Sequence, residues 1–187
     1  TYTCPGVWSS ATAMDKETAK VFYRQNDIPT PVSIALSQDQ EYDAVRLMEQ
    51  VGSRVVVKPA AEGSALGVSI CETAQEVEEA VNATFEIAQT VMVETYVAGR
   101  ELTVAVLGNN EPSALPVIEI LPQLGEFYDY ESKYAPGGSK HLCPAPLDSE
   151  ETALAQHIAL GAHKALKCRG VSRTDMILDE NGSLWVL

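Results

Sequence analysis

Apolar and polar positions along the chain fall into two periods, and the period switches repeatedly between helix and strand. Residues 15–26 carry a helical pattern opened by Asp15 and closed before Ile28-Pro29. PVSIAL, 31–36, reads as a strand. Ser37 with Gln40 has the spacing of a capping box, which predicts a helix from there to about Gln50, stopped by Gly52. RVVVK, 54–58, is a β-branched strand ended by Pro59. A loop over 60–67 and a short strand over 68–70 come next. Thr73 and Glu76 form a second capping box, ahead of a helix whose apolar face is Val77, Val81 and Ile87 or Ala88. VMVETYV, 91–97, has no polar alternation at its start and reads as a buried strand. Gly99 breaks it, and 101–107 and 114–120 flank Gly108-Asn109-Asn110 as a hairpin. The stretch 121–147 shows no period, and long aperiodic loops are commonly functional. A helix from Ser149 to about Cys168 would turn Leu154, Ile158, Ala162 and Ala165 to one side. Finally 171–178 and 184–187 bracket a turn over 179–182. If Asn181-Gly182 is a two-residue turn, Asp175 lies opposite position 188.

This order of elements predicts a mixed α/β (α+β) fold. A break near residue 97 divides it into two lobes, 1–97 and 98–187. A ligand between two such lobes is a common arrangement.

Composition narrows the function. The 187 residues carry a formal charge of −13, which excludes an electrostatic DNA or RNA binder but leaves room for a nucleotide site needing a few placed cations. No apolar run approaches the roughly 18 residues of a membrane helix. Residues 1–15 lack the pattern of a signal peptide. The first residue is Thr1, so the natural start is expected to lie upstream. Cys4, Cys71, Cys143 and Cys168 include no C-x-x-C pair, which fits free thiols in a reducing cytoplasm. His141, His157 and His163 are too scattered for a zinc-protease motif.

Four places carry candidate chemistry. Lys58 ends a buried strand, so its ammonium must meet an anion or reach solvent. The Glu62-Gly63-Ser64-Ala65-Leu66-Gly67 loop after it is spaced so that backbone amides can approach a phosphate, although it can equally be an ordinary glycine turn. Glu94 and Glu101 stand beside the break between lobes, where a carboxylate can accept from a ribose hydroxyl or a purine amine, or simply be solvated. FYDYESKY, 127–134, places three tyrosines and a lysine in a loop able to close over a substrate. Arg173 and Asp175 share one face of a strand, either as part of a magnesium–phosphate site or as a simple salt bridge.

Met14-Asp15-Lys16, VVVKPAAEGSALGVS, VETYVAGRELTV, FYDYESKYAPG and GVSRTDMILDENG, in this order, resemble the D-alanine–D-alanine ligases across essentially the whole chain. The resemblance implies an ATP-grasp fold, two lobes with antiparallel sheets flanked by helices. It implies a cytoplasmic enzyme of peptidoglycan synthesis and cell shape. That enzyme binds ATP with Mg²⁺ or Mn²⁺ and joins two D-alanines through an acyl phosphate. Lys16 and Lys58 then correspond to the lysines on the α- and β-phosphates. Glu94, Thr95, Tyr96 and Val97 correspond to the adenine strand, and Glu101 to the ribose contact. Lys133 corresponds to the loop lysine on the γ-phosphate, and Tyr134 to the tyrosine that bonds Ser64 at the substrate end. Arg173 corresponds to the arginine on the oxyanion, and Asp175 to a magnesium ligand. The Lys133-Tyr134 pair favours D-alanine over D-lactate as acceptor.

Ala65 departs from the family pattern, which has a second serine there. The resemblance places an amino-terminal substrate domain, through which a homodimer forms, before this chain, and further magnesium ligands after it. The 187 residues alone are therefore expected to be an inactive fragment. Another ATP-grasp carboxylate–amine ligase and a nucleotide-binding module without turnover remain the alternatives. None of these readings involves nucleic acid or membrane insertion.

Overall fold

In the computed structural model, residues 2–63, 65–122 and 138–187 are described. Helix α1, Val7–Met14, was not legible in the pattern: it lacks a side-chain cap and charged residues. It is held from outside instead. Ser9 donates to the Lys167 carbonyl at 2.8 Å, and Trp8 packs edge-on against Phe22. Helix α2, Lys16–Gln25, follows directly, capped as expected by Asp15, whose carboxylate accepts from the Glu17 and Thr18 amides.

Strands β1 (Ser33–Ser37), β2 (Val55–Pro59), β3 (Ser69–Cys71) and β4 (Thr90–Thr95) form one antiparallel sheet in the order β1-β4-β2-β3. Helices α3 (Ala44–Val51) and α4 (Ala74–Phe85) cover one face of it. The cap of α3 is Asp43 rather than Ser37; Gln40 only accepts from the Ser37 amide within a turn. The Thr73–Glu76 capping box of α4 is present in both directions. Val55, Val57, Val77, Val81, Val91 and Val93 are sealed between sheet and helices, whereas Ile87 lies beyond the end of α4 and is half exposed.

The second sheet contains β5 (Gly99–Gly108), β6 (Ser113–Ala114), β7 (Ile118–Pro122), β8 (Ser139–Leu142), β9 (Gly170–Asp179) and β10 (Leu184–Val186). Its order is β10-β9-β5-β7-β8, with β6 on β5, again antiparallel throughout. Helix α5, Ser149–Ala165, packs on one face, started by a capping box of Asp148 and Glu151. Its buried stripe is Ala155, Ile158, Ala159 and Ala162; Leu154, expected inside, is outside. Ala19, Tyr23 and Ile28 join this second core, so the segment around α2 packs with the larger sheet although it precedes the smaller one in sequence. The first 28 residues thus contribute Ala19, Tyr23 and Ile28 to the core of the second sheet.

The β9–β10 hairpin departs from the expected register by one. Leu184 pairs with Leu178 and Val186 with Met176, and the Leu187 amide donates to the Asp175 carbonyl. Leu187, not position 188, therefore stands across from Asp175. The cause is Asp179. Its carboxylate accepts from the Asn181 and Ser183 amides and from the Trp185 indole, which closes a longer loop with Gly182 at φ 78°.

Candidate active site between the two sheets

One cleft of about 850 Å³, within the range of small-molecule sites, is lined from both sheets and reaches residues of α1, α2 and α5. Side chains alternate across a strand, and this decides what reaches the cleft. On β2, Val55 and Val57 go to the helices, so Val56 and Lys58 turn to the cleft. On β4 the same parity turns Glu94 inward, opposite Val56 and diagonal to Lys58. On the other sheet, Leu102, Val104, Met176 and Leu178 fill the core. Glu101, Thr103, Arg173, Asp175 and Ile177 are then left on the cleft side. Glu101 pairs with Ile120 and with Ile177, and Ile120 in turn with His141. Thr103 stands directly opposite Asp175.

The cationic wall is built around one buried carboxylate. Glu94, 2% exposed, accepts from the Lys58 ammonium at 2.5 Å and forms an ion pair with Lys20 at 2.5 Å; Lys20 itself is 1% exposed. Lys20 also donates to the Thr30 hydroxyl and the Pro31 carbonyl. Thr30 passes the contact on to the Val186 carbonyl at 2.8 Å. Burial pushes the Glu94 carboxyl up, but Lys58 and Lys20 together more than offset this and hold it below its ordinary value. Burial lowers the Lys20 ammonium to about 8 against the pull of Glu94. Lys16 is likewise lowered to about 8, by burial first and the nearby Lys58 charge second. Its ammonium donates to the carbonyls of Pro59, Ala60 and Glu62.

Facing this wall, Arg173 grips Asp175 through two parallel bonds of 2.8 and 2.7 Å, and the Thr103 hydroxyl donates to the same carboxylate at 2.6 Å. The simple salt bridge anticipated as one reading of Arg173 and Asp175 is thus present. Asp175 suits a divalent cation shared with phosphates, since such an ion needs only one or two protein carboxylates. Among the described residues no three His, Cys, Asp or Glu side chains cluster as a protein-built metal cage.

The structure brings Lys16, Lys58, Glu94, Thr95, Tyr96, Val97, Glu101, Arg173 and Asp175 to the lining of this one cleft. Ser64, Lys133 and Tyr134 lie outside the described residues. The Glu94 carboxylate is engaged by two lysines, Lys58 and Lys20. The Thr95 and Tyr96 amides are also engaged within the protein, with the Val32 and Arg54 carbonyls, and Arg54 stacks over the Tyr96 ring at 4.1 Å. Sequence reasoning missed Lys20, Thr103 and His141. The available signal for Lys20 was its place beside Ala19 and Tyr23 on the buried side of α2, where an unpaired lysine is costly.

The family model described as D-ala D-ala ligase C-terminus matches residues 22–187. The chain belongs to that family. It is 42% identical over 188 residues to the D-alanine–D-alanine ligase of Desulfotalea psychrophila, covering 100% of this chain and 58% of that protein. The ligase of Halalkalibacterium halodurans is 43% identical, over 97% of this chain and 59% of its own length. The VanG D-Ala:D-Ser ligase of Enterococcus faecalis superposes with a TM-score of 0.85 at 31% identity, covering 98% of this chain and 54% of that one. The two-sheet architecture is thus the ATP-grasp fold of these ligases. The chain spans under 60% of the length of these relatives. Among the described residues no helix is long and apolar enough to cross a membrane.

Proposed function

We propose that the protein carrying this chain joins two D-alanines at the expense of ATP, in the cytoplasm, for peptidoglycan synthesis. The observation that carries this reading is a single cleft with opposed charge machinery. Lys16 and Lys58 line one wall, and Arg173, Asp175 and Thr103 line the other. The reaction needs such a site. The carboxylate of the first D-alanine attacks the γ-phosphorus and ADP leaves. The amine of the second attacks the resulting acyl phosphate, and phosphate leaves with loss of a proton. Catalysis is then positioning and charge stabilisation, without a protein nucleophile.

In this reading Lys16 and Lys58 hold the α- and β-phosphates, and Lys133 holds the γ-phosphate. The backbone of Glu94 to Val97 borders the adenine and Glu101 the ribose. Ser64 and Tyr134 position the substrate end. Arg173 faces the oxyanion of the tetrahedral intermediate. Asp175 would hold a Mg²⁺ or Mn²⁺ ion, which neutralises phosphate charge when bound. The division near residue 97 would serve as the hinge of the cleft, with an amino-terminal domain completing the substrate site and a homodimer.

Phosphate release from ATP by the intact protein, across a panel of acceptors, tests the reading. D-alanine should support turnover well above D-serine, D-lactate and unrelated amines. Preference for D-serine would move the protein toward the specificity that the VanG name describes. Equal turnover with unrelated acceptors would overturn the assignment, and nucleotide binding with no turnover at all would favour a binding module.

A further inference from the structure

The nucleotide reading leaves Lys20 unused, although it is among the most completely buried side chains of the molecule. Burying an ammonium is costly unless it is paired, and pairing alone seldom recovers the cost. Its placement shows what it is paired with. Glu94 stands between two lysines, one oxygen toward Lys58 and the other toward Lys20. Lys58 lines the cleft, whereas Lys20 is held away on α2 by Thr30 and the Pro31 carbonyl. Two cations and one anion leave a net single positive charge. Without Lys20, Glu94 and Lys58 would cancel, and Lys58 would reach an anion with its charge already neutralised.

Resting on the proposed ATP site, we infer that Lys20 is a positioning residue: it neutralises the far side of Glu94 so that the charge of Lys58 remains available to the phosphates. Lys20 touches no substrate and acts only through Glu94. It therefore governs the affinity for the phosphate chain and not that for the nucleoside. A merely structural lysine would affect both alike.

The test compares binding of ADP and of adenosine to the intact protein, by calorimetry at pH 7, across four variants. Lys20→Met sets the charge of the cluster to zero, Lys20→Arg keeps it at plus one, Glu94→Gln raises it to plus two, and the double variant Lys20→Met/Glu94→Gln returns it to plus one. The expected result is about a tenfold or greater loss of ADP affinity in Lys20→Met. Lys20→Arg and the double variant should lie near the parent, Glu94→Gln should bind ADP at least as well, and adenosine affinity should be common to all. The double variant keeps the comparison decisive if Lys20→Met does not fold, because it leaves no buried carboxylate oxygen facing a missing ammonium. Equal loss of ADP and adenosine affinity in Lys20→Met, unchanged ADP affinity, or a double variant no better than Lys20→Met would each overturn the inference. A parent protein that binds neither ligand would instead overturn the nucleotide reading itself.

Discussion

Glu94→Gln should destabilise the protein in a way that depends on pH, because it removes the anion that keeps two buried ammonium groups apart. The residues concerned are 1%, 2% and 8% exposed for Lys20, Glu94 and Lys58, so solvent screens the cluster little. Removing one member of a buried ion pair typically costs about 3–5 kcal/mol. For a domain of this size each kcal/mol corresponds to roughly 2–4 °C, giving a fall in melting temperature of roughly 6–20 °C. The pH dependence follows from the lysines. Burial lowers the Lys20 ammonium to about 8, and Lys16 to about 8 by burial and then by the Lys58 charge, against an ordinary 10.5. Between those values the unfolded chain holds protons that the folded chain does not, so stability from these groups rises with pH. Losing the Glu94 charge deepens the depression and extends that window downward. The deficit of the variant relative to the parent should therefore be greatest near pH 6 and shrink as the lysines deprotonate toward about pH 9. Urea denaturation of both proteins at several pH values in this range measures it. A deficit below about 1 kcal/mol at pH 6, or one that stays constant to pH 9, would refute the buried-charge account.

Lys58→Ala should weaken ATP binding by roughly 10- to 150-fold, the equivalent of a charge-assisted contact of about 1.5–3 kcal/mol; unchanged affinity in a calorimetric titration would remove the phosphate role. Asp175→Asn should shift the magnesium dependence of turnover to higher concentration, and an unaltered titration would count against a metal ligand at this position. Gly99→Ala should destabilise by more than about 2 kcal/mol, because its Cβ would fall on the Leu178 carbonyl oxygen and push β5 from β9. Melting within a degree of the parent would show that the strands part more easily than the packing implies.

Local chemistry was the legible part of this protein. Asp15, and Thr73 with Glu76, announce their helices because a cap needs only residues three apart. Lys58, at the end of the buried strand RVVVK, was legible as an ammonium in need of an anion, and it meets Glu94. What the sequence concealed was decided by contacts between distant segments. Helix α1 has no cap and draws on Lys167 and Phe22. The last hairpin slipped by one position because a single carboxylate, Asp179, gathers three donors at once. Lys20 follows Lys16 by four residues on a helix, and in sequence that spacing describes a solvated charge as well as a buried one. Its meaning depends on Glu94, which lies 74 residues away and was itself read as facing a ligand. The same carboxylate links the two residues. Strand parity turns it toward the cleft, where Lys58 and Lys20 pair with it. A buried polar cluster of this kind has to be satisfied as a unit, so no member's role can be assigned until the fold has brought the others beside it.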